Sequence, residues 1–304
     1  MLAYAIRRLV VSVPTLLVIV TIAFFMMRAA PGGPFDSDRV LPPAIEKNVK
    51  AAYNLDLPLW QQYGRYLVNL LQGDLGRSYI QKSNVSELIA SRLGPTLLLM
   101  AGAIFLELVI GLTAGVIAAV YRGRPLDNAI MVASFVGVSA PQFVVGILLL
   151  YVFAVKLEWF PIGGYGSFSN LVLPALTLGI LGGGWYSRMT RSSMIDVLRQ
   201  DYIRTGRAKG ASEARVVLVH ALRNAILPII AMIGLDIGIF MSGVVVVESV
   251  FGWPGIGQLA WQAIQRVDIP IIMGVTLVAA IAIVLGNLLA DIVAPFVDPR
   301  IRLR

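Results

Sequence analysis

An all-α, polytopic membrane protein with six transmembrane helices and both termini in the cytoplasm is the fold class this sequence predicts, on three observations. Of its 304 residues, 58% are hydrophobic and only 14% charged, and the mean hydropathy is +0.80. A soluble core of this length cannot bury so much apolar surface. The apolar residues gather in runs of about 20, the length at which a helix crosses the hydrocarbon layer, not in the alternating segments of about 10 that mark a membrane barrel. The basic residues, finally, collect on alternate connections between those runs.

Arg7 and Arg8 precede the uncharged run 9–27, the first span. A cleaved leader ending near Ala29 and Ala30 would begin similarly, but this run is longer than a leader's apolar region. Residues 28–95 form the longest polar excursion and are expected on the extracytoplasmic side. They are punctuated by Pro31-Gly32-Gly33-Pro34, Pro42-Pro43 and Gly73-Asp74-Leu75-Gly76. Short helices are predicted from Pro43, from Pro58, where Trp60, Tyr63, Tyr66, Leu67, Leu70 and Leu71 recur at helical spacing, and from Asn84, with Glu87 as its capping partner.

Span two, 96–120, stops at Arg122 and Arg124, and span three covers 129–155. The loop after it carries Trp159, Pro161 and Gly163-Gly164, with its aromatics at interfacial depth. Span four, 171–187, contains Pro174 and glycines 182 to 184, so it is expected to be bent or closely packed on a neighbour. A charged stretch, 188–225, precedes span five at 226–247 and span six at 271–295. The intervening segment 248–270, with Glu248, Phe251, Trp253-Pro254 and glycines 252, 255 and 257, reads as a re-entrant turn plus a short helix at the outer mouth. A five-helix core, 96–297, is thus expected between the excursion and a cytoplasmic tail, 298–304.

The charges orient this arrangement. The termini, the loop after span two and the charged stretch hold 15 of the 25 Lys and Arg residues but only five of the 17 acids. By the positive-inside rule these segments are cytoplasmic. The net charge of +8 is thereby explained as topology, and no nucleic-acid partner is expected. The absence of cysteine and the single His exclude a disulfide, a thiol nucleophile and a two-His zinc motif. All five lysines follow Glu46, Val49, Gln81, Val155 or Ala208, so no Gly-Lys phosphate loop exists in this chain. If ATP drives it, another subunit hydrolyses the nucleotide.

Within the charged stretch, Ala214, Val217, Leu218, Ala221, Leu222 and Ala225 form an apolar stripe at helical spacing, and Met194, Val197 and Leu198 begin another. Gly206 and Gly210 interrupt the pattern and predict a short, basic, exposed knuckle. It reads either as a pair of interfacial helices on anionic lipid or as a docking element for a cytoplasmic partner. Three acids fall in the spans: Glu107, Asp236 and, towards the cytoplasmic end of span six, Asp291. A central carboxylate costs about 2.5–3.5 kcal/mol to insert, so Glu107 and Asp236 must face a partner group or a watery cavity. They read either as lining a solute path or as making interhelical hydrogen bonds. Ser139, Pro141 and Gln142 are weaker path candidates, since Pro141 also kinks a helix.

Several ordered segments resemble one family. Arg7-Arg8 with Pro14-Thr15-Leu16, Arg28-Ala29-Ala30-Pro31-Gly32, Gly73-Asp74-Leu75-Gly76-Arg77-Ser78, Ala140-Pro141-Gln142-Phe143, Arg204-Thr205-Gly206-Arg207-Ala208-Lys209-Gly210, His220-Ala221-Leu222 and Trp253-Pro254-Gly255-Ile256-Gly257 look like the B-type permeases of oligopeptide and dipeptide ATP-driven importers. The resemblance implies the type I importer permease fold in a bacterial inner membrane. It also implies a second permease subunit, two ATPase subunits that bind ATP and Mg, an extracytoplasmic substrate-binding protein and a peptide substrate; this chain itself would bind no cofactor. In such permeases a cytoplasmic Glu-Ala-Ala, three residues, Gly, nine residues, Ile, any, Leu-Pro pattern docks on the ATPase. Here Gly210 and Leu222 fit it, while Arg204-Thr205-Gly206 stand at the Glu-Ala-Ala place, His220 at Ile and Arg223 at Pro. The resemblance therefore assigns ATPase coupling to Arg204, Thr205, Gly206, Arg207, Ala208, Lys209, Gly210, Ala211, Ser212 and Arg215, with Arg207 and Lys209 pairing to ATPase carboxylates, and a substrate path to Glu107, Ser139, Pro141, Gln142 and Asp236.

Other classes make distinct expectations. A related importer would carry another solute such as a nickel chelate. An ion-coupled secondary transporter would use Glu107 and Asp236 as proton or cation sites. An intramembrane enzyme lacks a nucleophile and base pair in the spans.

Overall fold

Glycine decides how the helices meet. In the computed structural model, which describes residues 2–29 and 56–297, the most extensive pairing joins α3 (Val85–Val120) to α6 (Phe168–Leu198). A Cβ at Gly111 would overlap Tyr186, one at Gly115 would lie 2.5 Å from the Thr190 side chain, and one at Gly179 would lie 2.5 Å from Leu106. Lipid tails are as apolar as the side chains they would contact, so the hydrophobic effect does little to hold helices together inside a membrane. Close backbone approach through small residues supplies the dispersion contacts instead. The glycine run of span four therefore packs closely on its neighbour and does not break the helix. The second large pairing, α9 (Leu227–Met241) on α12 (Ile269–Val297), uses the same device at Gly234, Gly238 and Gly286.

Among the described residues four helices are long and apolar enough to span, and two bent pairs, each counted as one span, raise the number to six. α1 (Leu2–Ala29) packs on α12. The third span is bent by 103° between α4 (Pro125–Ser139) and α5, which covers Gln142–Lys156 and ends in a π-helical segment, Leu150–Lys156. The corner falls at Ala140-Pro141, where proline disfavours helical backbone in the preceding residue. Span two departs from expectation at its outer end, since α3 starts at Val85 and runs straight through Pro95. Contacts from outside hold the helix at this point: the Trp253 indole donates to the Pro95 carbonyl (3.0 Å) and Thr96 Oγ1 accepts from Ile256 N (2.8 Å). The boundary placed at residue 95 thus lies inside a helix. Span four also overruns its expected end, so residues 188–198 of the charged stretch are helix.

On the outer side, α2 (Leu59–Leu71) forms as its spacing predicts; Tyr66 stacks on Phe24 of α1, and the Tyr63 ring packs against Phe24 at a tilt. The helix expected from Pro43 lies outside the described residues. Asn84 and Glu87 pair at 2.8 Å at the start of α3. The Gly73–Ser78 segment is anchored to the outer end of α12 by the buried Asp268, which accepts from Ser78 Oγ (2.5 Å), Tyr79 N (3.1 Å) and Ile80 N (3.2 Å). The expected re-entrant turn and short helix appear as α10 (Val245–Val250), a turn around the fully buried Trp253, and α11 (Ile256–Gln265).

Glu248 of α10 is fully buried, and its Oε2 accepts from Gln258 N at 2.6 Å. Burial pushes its carboxyl up to about 7 despite the backbone donors of Gln258 and Gly257 and the nearby charge of Arg92. The folded state therefore holds this proton more tightly than the unfolded chain does. Its contribution to stability is full below about pH 4.5 and is lost as the pH rises to about 7, a change of about 3 kcal/mol. Thermal melts of the purified protein between those pH values should show that loss, and Glu248→Gln should flatten it; an unchanged pH slope in the variant would assign the dependence elsewhere.

Candidate coupling knuckle and intramembrane face

The cytoplasmic knuckle is built on a small apolar plug. Met194 of α6, Ile203 of α7 (Asp201–Ala208) and Val216, Val217, Ala221 and Ala225 of α8 (Glu213–Ala225) pack together with Ala119 of α3. Residues 216–221 are π-helical, and this changes the expected stripe: Val216 is buried, while Leu218 is 58% exposed. The wider turn rotates side chains away from the 3.6-residue period on which the stripe was read. The break also differs. Gly206 lies within α7, and the chain turns at Gly210 alone, whose φ of +81° is a left-handed conformation that glycine adopts without strain.

The assigned coupling residues form one continuous protrusion. Arg204, Thr205, Arg207, Ala208, Lys209, Gly210, Ser212 and Arg215 are exposed, with Gly206 and Ala211 half-buried. Arg207, expected to pair with an outside carboxylate, instead grips Glu213 across the turn through two hydrogen bonds of 2.8 and 3.2 Å. Arg204 meets Asp201 only at 3.9 Å, with both side chains mostly exposed, a contact worth little. Ser212 caps α8, its Oγ accepting from Arg215 N at 3.4 Å. His220 is exposed.

The knuckle's base is fixed by a pair that sequence reasoning missed. Asp127, at the start of α4, is 1% exposed and takes a two-pronged ion pair from Arg191 of α6, at 2.6 and 2.7 Å, plus a hydrogen bond from Gly123 N at 2.9 Å. This fastens the loop after span two to the helix that enters the knuckle. In sequence, Asp127 and Arg191 look like unrelated loop charges.

In the membrane, Glu107 and Asp236 do come together, around a residue without a sequence signal. Tyr186 of α6 donates its hydroxyl to Asp236 Oδ2. Glu107 is 4% exposed, lies against Gly182 and is within electrostatic reach of Asp236. Its Oε2 is buried without a hydrogen-bond partner. Ser139, Pro141 and Gln142 sit at the exposed corner between α4 and α5, and neither Ser139 nor Gln142 hydrogen-bonds to another described side chain. Gly137 faces the Ile180 carbonyl, which puts this corner roughly 9 Å outward of Tyr186 along α6. The helix α6 packs on both α4 and α9, and the three leave apolar side chains uncovered, Phe135 and Val136 of α4, Trp185 and Met189 of α6 and Leu235 and Ile239 of α9, together the uncovered strip, with the Arg188 guanidinium 4.4 Å above the Trp185 ring.

The sequence that builds this bundle matches one family along most of the chain. Residues 111–303 match the binding-protein-dependent transport system inner membrane component, and residues 1–100 match the N-terminal part of the same transport-system membrane component. The chain belongs to that family. This permease is 43% identical to the oligopeptide transport system permease protein AppB of Bacillus subtilis, over 99% of both chains. It is 39% identical to the glutathione transport system permease protein GsiC of Escherichia coli K12, again over 99% of both. Its fold is similar to that of a chain in an inward-facing structure of the MetNI methionine ABC transporter, with a TM-score of 0.56 at 19% identity, covering 70% of this chain and 97% of the other. The permease is thus a multi-pass subunit of an ABC importer in the bacterial inner membrane, with the type I permease fold, and is not itself the ATPase.

Proposed function

We propose that this permease forms half of a peptide-import channel. A second permease covers the strip formed by α4, α6 and α9, two cytoplasmic ATPase subunits that bind MgATP engage the knuckles, and an extracytoplasmic binding protein delivers the peptide. The observation that carries this reading is the continuity of α6, which bears both Trp185 and Met189 at the uncovered strip and Met194 in the knuckle's plug. Movement of the knuckle is thereby passed to the strip through one helix. The Ser139–Gln142 corner supports the same assignment, because non-helical backbone at membrane depth is tolerated only where protein buries it or a watery cavity bathes it. Peptide is the proposed cargo because relatives that match along nearly the whole length are named for oligopeptide and for glutathione, a tripeptide.

The complete complex reconstituted in sealed vesicles tests the proposal. ATP and a loaded binding protein should drive labelled peptide inward. Gly210→Val, which forces a β-branched residue into left-handed backbone with no neighbour to clash against, should cut binding-protein-stimulated ATP hydrolysis and uptake about tenfold or more while leaving the bundle's melting temperature nearly unchanged. Undiminished stimulation would remove the knuckle from the coupling route. Gradient-driven uptake by this chain alone would overturn the ATP-driven reading, and transport of a metal chelate in place of peptide would overturn the cargo.

A further inference from the structure

We propose that Glu107, Asp236 and Tyr186 form a binding site for an ammonium group, the free amino terminus of a peptide in transit, at the rim of the uncovered strip. The inference rests on the peptide-import reading and adds a recognition step inside the membrane.

The buried carboxylates of the chain set the comparison. Asp127 receives the Arg191 fork and a backbone N–H, Asp268 receives a hydroxyl and two backbone N–H groups, and Glu248 receives backbone donors from Gln258 and Gly257. Asp127 and Asp268 are satisfied by the fold, and Glu248 is satisfied at Oε2 while its Oε1 has no hydrogen-bond partner. Glu107 receives no hydrogen bond from a described residue, and Asp236 receives only the Tyr186 hydroxyl. Arg188, the nearest cation along α6, is turned over the Trp185 ring. Two acids in hydrocarbon with one neutral donor between them are short of positive charge.

The backbone holds this shortage open. A Cβ at Gly182 would overlap the Glu107 carboxylate, so the glycine is the notch through which that group reaches the edge of α6. On α9, Gly234 and Gly238 face α12. Asp236, two residues from each, is turned about 200° around the helix from both and so points away from α12. It is half-buried beside the exposed Leu235 and Ile239. On α6, Tyr186 lies next to the exposed Trp185 and a turn from Met189. The cluster is therefore one side chain beneath the surface proposed to line the path. An ammonium has three donors and no acceptor. The vacant oxygen of Glu107, the second oxygen of Asp236 and the lone pairs of the Tyr186 hydroxyl supply three acceptors. Three are too few for a hard divalent cation, which takes six or more oxygens.

The test uses the reconstituted complex and two peptides of one sequence, with a free or an acetylated amino terminus, each loaded on the binding protein at saturation. Uptake of the free-amine peptide should fall about tenfold or more in Glu107→Gln and in Asp236→Asn, with the acetylated peptide affected much less. Tyr186→Phe, which keeps the ring, gives the same comparison where Glu107→Gln fails to assemble. As a readout independent of delivery, carbodiimide labelling of Glu107 and Asp236 should be suppressed by the free-amine peptide and not by the acetylated one. Equal loss for both peptides, or no differential protection, would overturn the inference and leave the acids a structural role. A wild-type complex that hydrolyses ATP on meeting its loaded binding protein yet imports neither peptide would overturn the peptide-import reading itself.

Discussion

Gly182→Leu should prevent the bundle from assembling. The new side chain would occupy the position of the Glu107 carboxylate, and α3 cannot retreat, because Gly179 against Leu106 and Gly111 against Tyr186 hold it to α6 on either side. Overpacking of a fixed contact costs about 3 kcal/mol at the upper end of its range, and in a membrane bundle the displaced carboxylate adds to that. The expected result is little or no monodisperse protein by fluorescence-detected size exclusion. Gly206→Ala is the matched control. It sits in a helix with open space around it, so it should be neutral or stabilising by up to about 1 kcal/mol. Wild-type yield and melting temperature in Gly182→Leu would mean that the α3 and α6 contact does not set the fold.

Arg191→Ala is expected to destabilise by about 3 kcal/mol. It leaves Asp127, 1% exposed, with one backbone donor in place of a guanidinium fork, and the cost is mainly that of an uncompensated buried charge. The pair itself is not expected to be strongly stabilising. Asp127→Ala combined with Arg191→Ala should therefore recover most of the loss, which a double-mutant cycle on melting temperature measures. Two single losses that simply add would show that the side chains act independently.

The architecture was legible because a bilayer leaves few options: runs of about 20 apolar residues must be helices, and the basic connections must face the cytoplasm. The end points were less legible. Pro95 and Ser187 looked like boundaries, yet α3 and α6 pass through them, since the indole of Trp253 and the plug around Met194 supply contacts from distant parts of the chain. The knuckle was visible as a glycine break. Its turn proved to depend on Gly210 and not Gly206, and its stripe was redrawn by a π-helical turn that composition does not announce. Glu107 and Asp236 were legible singly, as charges where charge is costly. Tyr186, the group that joins them, sits in an apolar run like any core aromatic and becomes visible only when α6 and α9 are laid side by side.

The Arg207–Glu213 staple has a kinetic consequence. By closing the turn within the chain, it presents the knuckle already shaped, so a cytoplasmic partner meets a rigid body with few side-chain rotations left to freeze. The same staple cancels one positive charge on the surface. Long-range attraction of an acidic partner then falls to Arg204, Lys209 and Arg215, all exposed. At physiological ionic strength their field fades within about 8 Å. Added salt should therefore slow the encounter, while the lifetime of the complex, set by how well the preformed turn fits, should change far less.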